Sequence, residues 1–203
     1  MKSIIIGDRN VIPSKIICIG RNYVEHITEL QNEVPDDMVV FLKPNSAISE
    51  ELVSFHQEQI HYEGELCFMY ENSRFSAIGF GLDLTKRQLQ STLKHKGLPW
   101  ERAKAFDGSA LFGDFVAIAD QDQNYSFELF INDQLVQAGN IDLMIHKPEQ
   151  ILKELRSFMS LEDGDILMTG TPKGVGVVNK NDKFSGRVMV GNKIITSVEW
   201  IAR

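Results

Sequence analysis

Gln59-Ile60-His61-Tyr62-Glu63-Gly64-Glu65-Leu66-Cys67-Phe68-Met69-Tyr70 reads as one extended strand with period-two alternation. Successive strand side chains point to opposite faces. His61, Glu63, Glu65 and Cys67 therefore share one face, and Tyr62, Gly64, Leu66 and Phe68 share the other. Two carboxylates at i and i+2 lie so close that leaving both charged and unpaired is costly. An exposed strand face with two solvated glutamates is the commoner meaning of such a pair. The run Leu66-Cys67-Phe68-Met69 argues against it, because it makes the strand apolar on both faces. Asp83, inside Gly81-Leu82-Asp83-Leu84, is a third acid where a core residue is expected. Buried carboxylates need a cationic partner or a metal. Three oxygen ligands without a convincing Cys/His set favour a hard cation, Mg²⁺ or Mn²⁺, over Zn²⁺.

Outward from this stretch the chain alternates short strands with a few helices. Lys15–Gly20 (KIICIG) and Val39–Lys43 (VVFLK, stopped by Pro44) read as buried strands. Between them Asn22–Leu30 (NYVEHITEL) has helix-start chemistry, with Asn22 as N-cap and Glu25 three residues on. Ala77–Leu84 is a strand running into a helix, where Thr85 and Gln88 are spaced as a capping box and Gly97 and Pro99 end the run. Ser126–Ile131 and Gln134–Gln137 flank the turn dipeptide Asn132-Asp133, and Pro148–Met159 is an amphipathic helix. Glu162-Asp163-Gly164-Asp165 turns into a strand at Ile166–Thr169, and further strands close the chain to Trp200. The class expected is α+β, mostly β, without the βαβ rhythm of a doubly wound fold.

Composition narrows the function. The 203 residues suffice for a sizeable core, and 43% hydrophobic with 24% charged residues is globular, not disordered. A net charge of −7 with no Lys/Arg-rich run speaks against nucleic acid as a partner. No apolar run approaches the ~20 residues of a membrane span, and the Ile4–Ile6 stretch is too short for a signal-peptide core. Cys18 and Cys67, each in an apolar segment, read as reduced buried thiols, so a cytoplasmic location is expected.

Five strings occur in order: GRNYVEHITEL, HYEGEL, LDLTKRQLQ, KGLPWERAKAFDGSA and GTPKGVG. Together they resemble the fumarylacetoacetate hydrolase family, specifically its small single-domain acylpyruvase-like members, over roughly Lys15 to Trp200. The resemblance implies a mixed-strand β-roll of the C-terminal-domain type with a few short helices, one catalytic domain over 1–203, and a homodimer. It implies Glu63, Glu65 and Asp83 as metal ligands, with Mg²⁺ as cofactor and Mn²⁺ or Ca²⁺ as substitutes. It assigns catalytic roles to Lys104, His26 and Glu29, and substrate contacts to Arg87, Gln90 and Thr171.

Each match has a physical reading and a blander one. His26 and Glu29 are neighbours on a helix face, suited to a base and its orienter, although most such pairs are surface ion pairs. Asp83, Arg87 and Gln90 form one stripe; Arg87 suits a substrate carboxylate, or merely a salt bridge to Asp83. Lys104, between Ala103 and Ala105, is a candidate for a lowered pKa or for a cation aimed at an oxyanion, whereas most lysines are simply exposed. Gly170-Thr171-Pro172-Lys173-Gly174-Val175-Gly176 does not fit the phosphate-loop pattern; it suits a tight loop bringing N–H groups and the Thr171 hydroxyl to a carboxylate. Gly64, Gln88, Leu111 and Val136 depart from the family pattern and bear on substrate choice. The expected reaction is hydrolysis of the C–C bond of an acylpyruvate-type 2,4-dioxo acid through a metal-stabilised pyruvate enolate. The alternative is an oxaloacetate decarboxylase, or an isomerase/decarboxylase of aromatic catabolism, on the same site. A catalytically idle metal-binding scaffold is the remote rival.

Overall fold

The computed structural model describes residues 1–29, 37–118 and 123–203. The run around Glu63 forms two strands, not one. Glu58–Tyr62 pairs with Thr85–Lys86 and Gly176–Val177 in a small sheet. Gly64–Glu71 instead runs antiparallel to Arg74–Asp83 in a seven-stranded sheet. The chain changes sheets at Glu63, and the neighbouring strand does the same at Leu84. A hydrogen bond from the Asp83 N–H to the Glu63 carbonyl, 2.9 Å, holds the two crossings together. Gly64 sits where the layers close: a Cβ there would lie 3.1 Å from both Phe80 Cζ and Gln137 Oε1. The glycine between the two glutamates therefore reflects tight packing.

From edge to edge the large sheet runs Ala110–Phe112, Arg74–Asp83, Gly64–Glu71, Ile166–Met168, Lys15–Gly20 and Val39–Pro44, with Val116–Ala117 also paired to Arg74–Asp83. Ile166–Met168 is parallel to Lys15–Gly20 and antiparallel to Gly64–Glu71, so the sheet is mixed. A second sheet orders Gln134–Asn140, Tyr125–Ile131, Lys183–Val190 and Lys193–Ile201. The hairpin at Asn132-Asp133 forms as expected; both residues have positive φ, 50° and 64°, the signature of a type I′ turn.

Four helices complete the described residues: α1 (Val24–Glu29), α2 (Arg87–His95), α3 (Glu101–Lys104) and α4 (Pro148–Phe158). Leu66, Phe68, Phe80 and Leu82 pack from the large sheet onto Phe127, Leu129, Phe184 and Val188 of the second sheet, joined by Ile151 and Leu155 of α4. The opposite face carries Cys18, Cys67, Met69 and Met168 against Phe115. Both thiols are free and buried, in keeping with the reading of reduced cysteines. The α+β, mostly β expectation holds. No helix among the described residues is long and apolar enough to cross a membrane.

Two local expectations are corrected. Asn22 does not cap α1. Its side-chain amide donates to the carbonyls of His146 and Thr169, and its Oδ1 accepts from the His146 N–H, so it ties three segments together. Thr85 and Gln88 form no capping box, because Thr85 belongs to a strand and Lys86 is the N-cap. The first-turn N–H groups of Gln88 and Leu89 go instead to Glu58 Oε1, a carboxylate brought from a distant strand. The expected end of the first helix at Leu30 lies outside the described residues.

Candidate active site

The three carboxylates converge at the sheet corner. Glu63, Glu65 and Asp83 are all buried and offer ligand oxygens within 4.8 Å of one another. Glu63 occupies the crossing itself, Glu65 follows on Gly64–Glu71, and Asp83 ends the paired strand. Glu65 and Asp83 are thus brought together by strand register, with Glu65 opposite Gly81 and Gly64 opposite Leu82. The cavity they line is small, about 40 Å³, where one ordered water takes about 10–15 Å³. A larger cleft of about 430 Å³, lined by Phe68, Tyr125 and Lys147, lies away from the carboxylates.

Lys104 reaches this corner from the end of α3, almost fully buried at 2% exposure. Its Nζ donates to Glu63 Oε2 (2.8 Å), Asp83 Oδ2 (2.7 Å) and Thr85 Oγ1 (2.6 Å). Sequence offered a lowered pKa for this lysine, and the structure reverses that direction. Burial pulls the pKa down, but Asp83 and then Glu63 outweigh it and hold the ammonium above its ordinary range. Lys104 is a fixed cation, not a neutral amine.

Glu63 is the best-compensated acid. Burial would raise its pKa, yet Lys104, Arg87 and His26 together keep it well below the usual carboxylate range. Arg87 hydrogen-bonds Glu63 and gives its other NH to Gln90 Oε1 at 2.8 Å. Its carboxylate partner is therefore Glu63 and not Asp83. Glu65 differs: its Oε2 accepts the Gly170 N–H at 2.7 Å, while burial, then Asp83 and Glu63, push its pKa far upward. Lys43 Nζ stands 2.8 Å from Asp83 Oδ1 but off hydrogen-bond alignment, so that buried oxygen accepts no hydrogen bond. A buried acid with no ion-pair partner among the described residues and a buried carboxylate oxygen that accepts no hydrogen bond, in an all-oxygen set, fit a hard divalent cation held by Glu63, Glu65 and Asp83.

His26 enters the same cavity from α1, buried, with Nδ1 3.3 Å from Glu29 Oε2. Burial lowers its pKa, and Glu63 and Glu29 offset this only in part, so the imidazole is neutral at pH 7. Glu29 also accepts the Gly174 N–H, at 3.0 and 3.2 Å, which fastens α1 to the glycine-rich loop. Gly174 has φ +98°, and a Cβ there would collide with the Val136 carbonyl oxygen. The loop does bring an N–H to a carboxylate, as expected, but the recipient is Glu65. The Thr171 hydroxyl donates to the Gly64 carbonyl (2.9 Å) and accepts from Gln137 Nε2 (2.8 Å), bracing the sheet crossing.

The structure adds residues that sequence reading passed over. Gln137 accepts the Gly64 N–H at 2.8 Å, and Thr85 receives Lys104. Lys43 lies fully buried beside Asp83 and also donates to the Lys104 carbonyl. Arg21 and Lys94 line the cavity. A polar residue within an otherwise apolar strand (Lys43 in VVFLK) was the one available signal.

The family model for the fumarylacetoacetate (FAA) hydrolase C-terminal region matches residues 15–199. The chain belongs to the fumarylacetoacetate hydrolase family. Among its family relatives, the mitochondrial oxaloacetate tautomerase oaa1 of Schizosaccharomyces pombe is 37% identical over 88% of this chain and 90% of its own length. Oxaloacetate tautomerase YcgM of Escherichia coli is 34% identical over 85% and 87%. The fumarylpyruvate hydrolase of Pseudomonas aeruginosa, solved in complex with Mn²⁺ and pyruvate, superposes with a TM-score of 0.88 at 26% identity, covering 99% of this chain and 95% of that one.

Proposed function

We propose that this chain is a divalent-cation-dependent enzyme that interconverts the enol and keto forms of oxaloacetate. The observation that carries the reading is a neutral, buried His26 in one cavity with the acidic triad and the Lys104 ammonium. Tautomerisation needs a group that gives and takes a proton at C3 and fixed positive charge near the 2-oxo oxygen. It needs no attacking water and breaks no C–C bond. The names of the two relatives support oxaloacetate as substrate, so the alternative drawn from sequence, an oxaloacetate decarboxylase or an isomerase/decarboxylase, has more behind it than acylpyruvate hydrolysis, in its substrate although not in decarboxylation.

A cation held by Glu63, Glu65 and Asp83, with Mg²⁺ or Mn²⁺ as the natural choices, would act as a Lewis acid toward the 2-oxo and adjacent carboxylate oxygens. His26, oriented by Glu29, transfers the proton at C3. Lys104 stays protonated and favours negative charge growing on the 2-oxo oxygen. In the enol-to-keto direction neutral His26 accepts the hydroxyl proton and the resulting imidazolium delivers a proton to C3, so the atoms balance and His26 returns to its neutral form without a co-reactant. Arg87 keeps Glu63 ionised, while Gln90 and Thr171 shape the cavity wall.

Hydrolysis of acylpyruvates is a second reading, favoured by the P. aeruginosa neighbour. The two separate in one Mg²⁺-loaded preparation given enol-oxaloacetate and, separately, acetylpyruvate. Rapid loss of enol absorbance with no CO₂ or pyruvate formed supports tautomerisation. Efficient C–C cleavage of acetylpyruvate with enol decay no faster than in buffer would overturn it.

A further inference from the structure

Lys104 is carried by a helix of a single turn. α3 spans only Glu101–Lys104, too short to hold its place by its own hydrogen bonds. The last carbonyls of a helix find no partner inside it, and that of Lys104 ends α3. Two side chains meet this carbonyl from outside. Lys43 Nζ donates to it from the strand Val39–Pro44, and Ser109 Oγ donates to it at 2.9 Å from the following loop. Both side chains belong to residues that are 0% exposed.

The Lys43 ammonium also stands 2.8 Å from Asp83 Oδ1, while Lys104 Nζ takes Asp83 Oδ2 at 2.7 Å. One lysine therefore touches both the backbone of the other and its carboxylate partner. Two residues earlier, Phe41 sets its ring centre 5.3 Å from Lys104 Nζ. Period-two spacing puts Phe41 and Lys43 on one face of their strand, and both lie against Lys104. A fully buried ammonium is expensive to keep, so its contacts mark a position that the fold holds closely. Phe41 reaches the cavity wall, but Lys43 and Ser109 stand behind the lining residues and away from any substrate.

We infer that Lys43 is a positioning residue for Lys104. With Ser109 it grips the end of α3, and through Asp83 it fixes the carboxylate that Lys104 meets, so that the Lys104 ammonium is aimed at the reacting oxygen. This rests on the reading that Lys104 stabilises charge growing on a 2-oxo oxygen, and it adds the residue that sets the aim. A cation displaced by about 1 Å loses rate by up to about 10²-fold. That loss falls on kcat, because the charge it answers is largest in the transition state. Removing Lys43 also takes positive charge away from Asp83, so a divalent cation held by the triad should bind as tightly or more tightly.

The test is a cycle of Lys43→Met, Lys104→Met and the double variant, each read by kcat and KM for enol-oxaloacetate at saturating Mg²⁺. Calorimetry gives the Mg²⁺ affinity, and hydrogen exchange gives the protection of the Ala105 amide, which bonds the Glu101 carbonyl across α3. Lys43→Met should lower kcat by about 10- to 100-fold with KM held within about threefold. Ala105 protection should fall, and Mg²⁺ affinity should hold or rise. In the double variant kcat should equal that of Lys104→Met alone, because nothing is left to position. Losses that multiply across the cycle would show that Lys43 acts independently of Lys104. A kcat loss that extra Mg²⁺ restores would place its role at the metal. Either result, or an unchanged kcat, overturns the inference. Should Lys43→Met fold poorly, Ser109→Ala removes the other donor to the same carbonyl and leaves the Lys43–Asp83 pair in place. Its smaller kcat loss should likewise vanish in the Lys104→Met background, and a loss that persists there overturns the inference equally. If wild type does not convert the enol, the proposed reaction falls and the Ala105 amide decides the rest. Protection lost in Lys43→Met keeps the positioning role, and unchanged protection removes it.

Discussion

Lys104 and His26 divide the electrostatic work of the cavity. Lys104 is the only fixed cation that touches two of the three acids among the described residues, so Lys104→Met removes charge from both at once. Breaking a buried pair by deleting one partner costs about 3–5 kcal/mol. The variant should therefore melt earlier than wild type in chelator and recover most of the loss when Mg²⁺ is added, as calorimetry with and without the metal will read. Its kcat should fall by about 10²–10³, comparable to losing one oxyanion donor, with KM much less affected. In the proposed reaction the neutral form of His26 is the proton acceptor. Because burial lowers its pKa, activity should be complete at pH 7 and decline only as pH falls through a value below the ordinary 6.5. His26→Ala should lose about 10²–10⁴ in kcat together with that acid limb. A limb that persists in the variant would assign the titration to another group.

At the scale of elements, the candidate active site is the place where two adjacent strands leave one sheet for another. Period-two alternation made Glu63 and Glu65 legible as a pair, and an acid in an apolar run made Asp83 legible as the third. The crossing was not legible, because the residues on both sides of Glu63 keep strand character and only pairing partners reveal the change of sheet. The false capping box has the same origin: the carboxylate that caps α2 is Glu58, supplied from another strand. Lys43 reads as the polar end of a strand until Asp83 is placed beside it. The link between α1 and the glycine-rich loop is equally non-local, and it can be tested directly. Gly174→Ala must relieve both a positive φ and a clash with the Val136 carbonyl. It should cost roughly 1–3 kcal/mol and release Glu29. Thermal denaturation and the protection of the α1 amides should both decline, and unchanged α1 protection would show that the Glu29–Gly174 bond does not hold the helix.

For the molecule as a whole, a mixed sheet packed on a second sheet supplies a buried corner in which three acids, the Lys104 and Arg87 cations paired to them and a neutral histidine line one small cavity. Water exclusion strengthens each of these interactions. It also leaves Glu65 as the carboxylate that most needs a cation. The most direct measurement is the initial rate of enol-oxaloacetate conversion against free Mg²⁺, in wild type first stripped by a chelator and in Glu65→Gln. Wild type should be inactive after stripping and rise to saturation with Mg²⁺, while Glu65→Gln should require far more metal and reach a much lower rate. A stripped enzyme that converts the enol as fast as the loaded one, or a Glu65→Gln variant with an unaltered Mg²⁺ curve, would contradict the acidic triad as the metal centre of this reaction.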